Sequence, residues 1–177
     1  MADRITELIS EELIDSKVRM LGERISREYA GKSVHLICIL KGSIFFACEL
    51  AKRIKVPVTL DFMSVSSYGS GTESSGKINI KKDLDEDIAG RHVIVIEDII
   101  DSGNTLSMLV PLLRERKPAS LEVATLLDKP DRREKDVDVK YTCFEIPDKF
   151  VVGYGLDYDQ KYRDLPYVGV VELSEDK

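Results

Sequence analysis

The chain has 177 residues, of which 43% are hydrophobic, enough for one domain with a sizeable core. No uninterrupted apolar run approaches membrane length and the first residues, MADRITELISEEL, lack a signal-peptide core, so a cytoplasmic protein is expected. A formal net charge of −6 argues against nucleic acid as the main partner, since a polyanion binder carries a basic surface, yet it leaves room for a local basic pocket.

Residues 10–30 read as a helix, with Leu13, Ile14, Val18, Leu21, Ile25 and Tyr29 at helical spacing and Gly31 as the stop. Residues 34–40, VHLICIL, read as a strand buried on both faces, followed by Lys41-Gly42-Ser43 and a helix over about 44–54. Residues 59–66 form a third segment of strand character. Residues 67–76, SYGSGTESSG, hold almost no apolar content and cannot bury enough surface to order themselves. With the alternating KINIK of 77–81, the simplest topology is a long hairpin with a mobile tip. Cys38, Cys48 and Cys143 are odd in number, widely spaced and set among apolar neighbours, so buried thiols are expected rather than disulfides or a metal site. His35 and His92 stand at strand starts with no second histidine at ligand spacing, and both read as structural.

The next stretch, residues 92–106, HVIVIEDIIDSGNTL, is the most informative. Val93, Ile94, Val95 and Ile96 fit a strand buried on both faces. The acids Glu97 and Asp98 follow, and Asp101, Ser102, Gly103, Asn104 and Thr105 are turn and helix-start residues ahead of a leucine-rich helix. Pro111 predicts a kink or a late helix start. Residues 120–127 read as a strand, followed by Asp128, Lys129 and Pro130. The charged run 131–140 reads as a solvated connection. Short strands are expected at 143–146 and 150–154, around Pro147-Asp148-Lys149. A dense polar and aromatic cluster occupies 156–166, and 169–173 is a closing strand. Alternating strands and helices predict an α/β fold with a mainly parallel central sheet flanked by helices. With no internal repeat and no linker, residues 1–177 read as a single domain.

In such a sheet, ligands bind where strands end and helices begin. Small residues let backbone N–H groups converge on an anion, and the helix N-terminus adds donors and partial positive charge. Ser102 and Thr105 add hydroxyl donors. The upstream acids suit sugar hydroxyls, or a Mg²⁺ that itself holds phosphate. A phosphorylated sugar satisfies both halves of the stretch. Taken alone, DSGNT would read as well as a plain capped helix, and Glu97-Asp98 as an exposed strand end. Neither GxxxxGK[ST] nor GxGxxG after a strand is present.

EDIIDSGNT resembles the phosphoribosyl pyrophosphate motif of type I phosphoribosyltransferases, most of all that of the hypoxanthine-guanine enzymes. Four further segments match that family in its order: Leu40-Lys41-Gly42, Ser67-Tyr68, Lys129, and PDKFVVGYGLDYDQKYRD at 147–164. The resemblance implies the type I fold, with a small hood and a flexible loop. It also implies displacement of pyrophosphate from C1 of a phosphorylated ribose by a purine nitrogen, through an oxocarbenium-like transition state.

By resemblance, residues 101–105 take the 5-phosphate, Glu97 and Asp98 the ribose and Mg²⁺, and Asp157 a further metal contact. Ile99 belongs to the same substrate-binding set. Arg163 and the Lys41-Gly42 loop meet the pyrophosphate, and the peptide entering that lysine is often cis in the family. Asp101 is the implied catalytic acid/base facing N7. Lys129 donates to the purine 6-oxo group, Phe150 stacks on the ring, and the Val151 backbone and Asp157 read its far edge. Ser67 and Tyr68 close over the pyrophosphate as part of a lid. Outside the family pattern, Lys129 would read as a surface charge and Phe150 as strand core. Asn104, where some relatives carry lysine, and Pro111 depart from the pattern; the short N-terminus suggests a compact microbial-type enzyme.

The expected activity is thus purine salvage, giving IMP and GMP from hypoxanthine and guanine, by a homodimer or homotetramer that binds neither membrane nor nucleic acid. Two rivals remain: a xanthine-preferring enzyme, and a non-catalytic sensor of phosphoribosyl pyrophosphate.

Overall fold

The computed structural model describes residues 4–67 and 78–172. The elements in chain order are β1 (Arg4–Ile9), α1 (Glu11–Glu28), β2 (Val34–Ile39), α2 (Ile44–Arg53), β3 (Val58–Ser67), β4 (Ile78–Lys82), β5 (His92–Ile100), α3 (Asn104–Glu115), β6 (Ser120–Asp128), β7 (Tyr141–Glu145), β8 (Val151–Val152) and β9 (Val168–Glu172). A 3₁₀ turn, Pro130–Arg132, follows β6.

Six strands form the central sheet in the order β4-β3-β2-β5-β6-β7. All neighbours are parallel except β3 and β4, which form the expected hairpin. Period-two alternation divides the strand side chains between two apolar layers. Leu36, Cys38, Ile94 and Ile96 face α1 and α2, meeting Ile14, Val18, Ile25, Phe46 and Leu50. Ile37, Ile39, Val93 and Val95 face α3, meeting Leu106, Leu109 and Leu113. Both faces are covered, which is why these strands read as continuous apolar runs.

From β2 the chain steps to β3 on one side, and from β5 it steps to β6 and β7 on the other. The direction of winding therefore reverses between β2 and β5. That is the switch point at which an open α/β sheet leaves a crevice beyond its strand ends.

Several expectations are corrected. The sequence pattern predicts no strand before residue 10. β1 nevertheless pairs antiparallel with β9, which pairs with β8, and these three make a separate small sheet, the expected hood. β8 spans two residues rather than 150–154, because Gly153, Tyr154 and Gly155 take positive φ of 94°, 49° and 102° and turn the chain out of the strand. α3 does not start late but runs from Asn104 to Glu115, with Pro111 inside it on the exposed side. Cys38 and Cys143 are buried thiols as expected, whereas Cys48 is exposed on α2. His35 and His92 are held by Thr59 and Ser120 through Nδ1, at 2.7 and 2.8 Å. No helix among the described residues is long and apolar enough to cross a membrane.

Candidate active site

β5 carries its ladder past both acids to Ile100, so Glu97 and Asp98 are strand residues. Alternation sends them to opposite sides of the sheet edge. Glu97 is buried, and burial together with the Asp98 charge pushes its carboxyl well above the usual range. Burial also pushes Asp98 up, to about 6, although the Ile99 N–H donates to its Oδ1 at 2.8 Å.

The loop after β2 closes on these acids. The Leu40–Lys41 peptide is cis. A Cβ on Gly42 would overlap the Asp98 carboxylate, and a Cβ on Gly155 would overlap the Gly42 carbonyl. Only glycine at both positions lets the Gly42 backbone lie against the Asp98 carboxylate and the Gly155 backbone.

Beyond Ile100 the chain turns sharply into α3. Gly103, with φ of 80°, occupies the N-cap position and supplies no side-chain cap. α1, by contrast, is capped by Ser10, which accepts from the Leu13 N–H at 3.2 Å. The Asn104 N–H donates to Ser102 Oγ at 3.2 Å, and the following N–H groups of the first turn are left for a ligand. A cavity of about 340 Å³ opens there, lined by Glu97, Asp98, Ile99 and residues 101–105, with Ile39, Val65, Ile100 and Leu106 as apolar walls.

A second cavity of about 240 Å³ adjoins it and shares Asp98, Ile99 and Asp101. Its other walls are Lys129, Phe150, Val151, Leu156 and Asp157. Lys129 is buried, not a surface charge, and its Nζ stands 3.6 Å from Asp101 Oδ1. Its backbone N–H donates to the Ile100 carbonyl at 3.0 Å, tying the end of β6 to the end of β5. Phe150 is not strand core: it is half exposed, with Tyr158 edge-on at 5.6 Å. The Asp101 side chain is about half open to solvent, at 52%.

Asp157 and Arg163 pair at 3.0 Å, and Arg163 also donates to the Gly155 carbonyl at 2.7 Å. Gln160, which the sequence reading did not single out, accepts from Lys41 Nζ at 3.1 Å and from Arg163 at 3.4 Å. Lys41 and Arg163, 122 positions apart in the numbering, are thereby joined through one amide. The Ser67 backbone closes β3 against Ile78, while Tyr68 and the rest of the expected lid lie outside the described residues.

Glu97, Asp98 and Asp157 do not converge into one metal cage, and no group of three His, Cys, Asp or Glu among the described residues does so. The donor set still fits Mg²⁺. Hard carboxylate oxygens suit it, it retains several waters and takes substrate oxygens, and a cation would relieve the charge that two adjoining acids cannot share.

This arrangement of an acid-ended parallel strand, an uncapped helix start and a second cavity with a buried lysine can hold a phosphorylated sugar against a heteroaromatic ring. The chain belongs to the phosphoribosyltransferase family: residues 5–159 match the model of the phosphoribosyl transferase domain. Its fold is the type I fold of that family, and its class of enzyme is a transferase.

Among individual relatives, the chain is 51% identical to the hypoxanthine-guanine phosphoribosyltransferase of Streptococcus thermophilus strain CNRZ 1066, over 93% of this chain and 92% of that one. It is 48% identical to the hypoxanthine phosphoribosyltransferase of Salmonella typhimurium, over 99% and 100%. A crystal structure of a hypoxanthine-guanine phosphoribosyltransferase from Bacillus anthracis, with a HEPES molecule in its active site, superposes with a TM-score of 0.91 at 48% identity, over 96% of this chain and 100% of that one.

Proposed function

We propose that this chain transfers the 5-phosphoribosyl group of phosphoribosyl pyrophosphate to hypoxanthine and guanine, giving IMP and GMP with release of pyrophosphate. One observation carries the reading: the two adjoining cavities share Asp98, Ile99 and Asp101 as a common wall. The first has the acids and helix donors that a ribose phosphate needs. The second has a buried cation and an exposed aromatic ring. A bond formed between their contents would form beside Asp101.

The uncapped start of α3 and residues 101–105 bind the 5-phosphate. Glu97 and Asp98 hold the ribose hydroxyls. Lys129 Nζ donates to the purine 6-oxo group, and Phe150 covers the ring face. The Asp101 carboxylate accepts the N7 proton as N9, across C8 on the same five-membered ring, bonds to C1 and pyrophosphate leaves. The donor–donor mismatch that adenine would make with Lys129 costs about 1–3 kcal/mol, which favours 6-oxopurines. Lys41 and Arg163, already gathered by Gln160, receive the departing pyrophosphate. Glu97, Asp98 and Asp157 are the residues that would hold Mg²⁺, which when bound supplies positive charge to the pyrophosphate oxygens.

This reading treats residues 1–177 as one domain acting in the cytoplasm, as a homodimer or homotetramer. The test is purified protein with Mg²⁺, phosphoribosyl pyrophosphate and each base in turn, with nucleotide formation followed by absorbance. Turnover of hypoxanthine and guanine with little of adenine is expected. Preference for xanthine, or binding of phosphoribosyl pyrophosphate without turnover of any base, would replace this assignment.

A further inference from the structure

The charged run 131–140 reads in the sequence as a solvated connection, and its first half does more than that. Arg133 is largely withdrawn from water, with 20% of its side chain exposed. Its Nε donates to the Asp101 carbonyl at 3.2 Å, and its other arm pairs closely with Asp128 at the end of β6. The next two residues contribute backbone: the N–H groups of Glu134 and Lys135 both donate to the Ser102 carbonyl, each at 2.9 Å. The Glu134 side chain accepts from Asn104 Nδ2 at 3.1 Å. A Cβ on Gly103 would lie 2.6 Å from the Lys135 carbonyl and 3.1 Å from Arg133 Cδ, so the segment is pressed against the back of the loop.

A trans peptide is planar, and its C=O and N–H point in opposite directions. Where the carbonyl of residue 101 is held from one side, the N–H of residue 102 faces the other. The same holds for the Ser102 carbonyl and the Gly103 N–H. The opposite side is the 340 Å³ cavity that Ser102 and Gly103 line.

We propose that Arg133 is a positioning residue: with the backbone of Glu134 and Lys135 it holds the Asp101 and Ser102 carbonyls from behind and so turns two amide donors toward the phosphate site. The inference rests on the proposed function for the identity of that anion. It also gives a purpose to Asn104, whose amide serves the brace rather than the ligand. Lys129 depends on Arg133 less, since its own N–H is bonded to Ile100 and the Asp128 carbonyl accepts from Ile146 at 2.9 Å. The phosphate side should therefore feel the loss of Arg133 more than purine affinity does, since the purine side meets Arg133 only through Asp101.

Calorimetric titration with ribose 5-phosphate, alongside steady-state kinetics, tests this on the wild type, Arg133→Ala and Arg133→Lys. Arg133→Ala should weaken ribose 5-phosphate binding and raise KM for phosphoribosyl pyrophosphate about tenfold. KM for hypoxanthine should move by less than about twofold in the same variant, since Asp101 alone among its proposed contacts is bonded to Arg133, and that through its backbone. Arg133→Lys should fall in between, because one ammonium reaches a single partner where the guanidinium forks to two. Should Arg133→Ala fail to fold, Arg133→Lys decides alone by the same split. Unchanged ribose 5-phosphate affinity, or equal losses for sugar phosphate and purine, would overturn the proposal. A wild type that binds ribose 5-phosphate in an Arg133-dependent way without turning over any purine would support the brace and refute the proposed function instead.

Discussion

Glu28 and Asp98 are both carboxylates partly withdrawn from water, at opposite ends of the central sheet, yet one is held at about 2 and the other pushed up to about 6. Burial works to raise both. At Glu28 it is outweighed by donors: the Tyr141 hydroxyl at 2.5 Å, Arg24 Nε at 2.8 Å and Lys140 Nζ at 3.3 Å. At Asp98 burial wins: backbone N–H groups and the more distant Arg163 charge lower its pKa without outweighing it, and Asp101 adds a little like charge. The first cluster is complete within the folded chain. The second lacks such donors, so the fold leaves a buried acid under-partnered where strands end and fully partners one where they begin.

Changes at the incomplete end should separate catalysis from stability, and the largest effect belongs to Asp101. Asp101→Asn should lower kcat by about 10²–10⁴-fold, while affinity for phosphoribosyl pyrophosphate, measured by titration, stays close to wild type. Near-normal turnover would remove Asp101 from the proton-transfer role. Lys129→Gln comes next. It should weaken hypoxanthine and guanine by roughly tenfold or more and narrow their advantage over adenine, as competition among the three bases would show.

Asp98→Asn sharpens the contrast further. A carboxyl whose folded pKa lies above its unfolded value contributes most below about 3.8, and that contribution is lost as pH rises through about 6. At neutral pH the acid therefore destabilises the fold. Asp98→Asn should raise Tm by roughly 2–5 °C while weakening phosphoribosyl pyrophosphate binding. A fall in Tm would mean that Asp98 is already satisfied in the free protein.

The smallest effect is expected at Glu28, with the opposite sign. Its folded pKa is depressed, so its contribution is complete above about 4.5 and is lost as pH falls toward about 2. Glu28→Gln should lower stability at neutral pH and flatten the acid limb of a denaturation series taken across that window. An unchanged acid limb would break the comparison from its other side.

Much of this was legible in the residues. The apolar runs of β2 and β5 announce strands buried on both faces, and the small residues after Ile100 announce a turn into a helix start. What the linear order hides is the partner. RITELI carries a weak alternation and becomes a strand only because β9 returns to pair with it. Lys129 looks like any lysine at a turn until Phe150 and Asp101 are folded around it. Arg133 sits in a charged run whose composition predicts solvent, and its partners Asp101 and Asp128 come from two different strand ends. Pro111 sits on the exposed side of α3 and is accommodated without a break.

By itself the sequence determined the alternation of strands and helices and the chemistry of the phosphate stretch, because these depend on periodicity and residue type within a few positions. The tertiary structure alone decided that Gly42 lies against Asp98, that Gln160 joins Lys41 to Arg163, and that two cavities share one wall. Those facts follow from the reversal of winding between β2 and β5, which brings distant strand ends to one edge, and no local pattern encodes which distant residues that edge will gather.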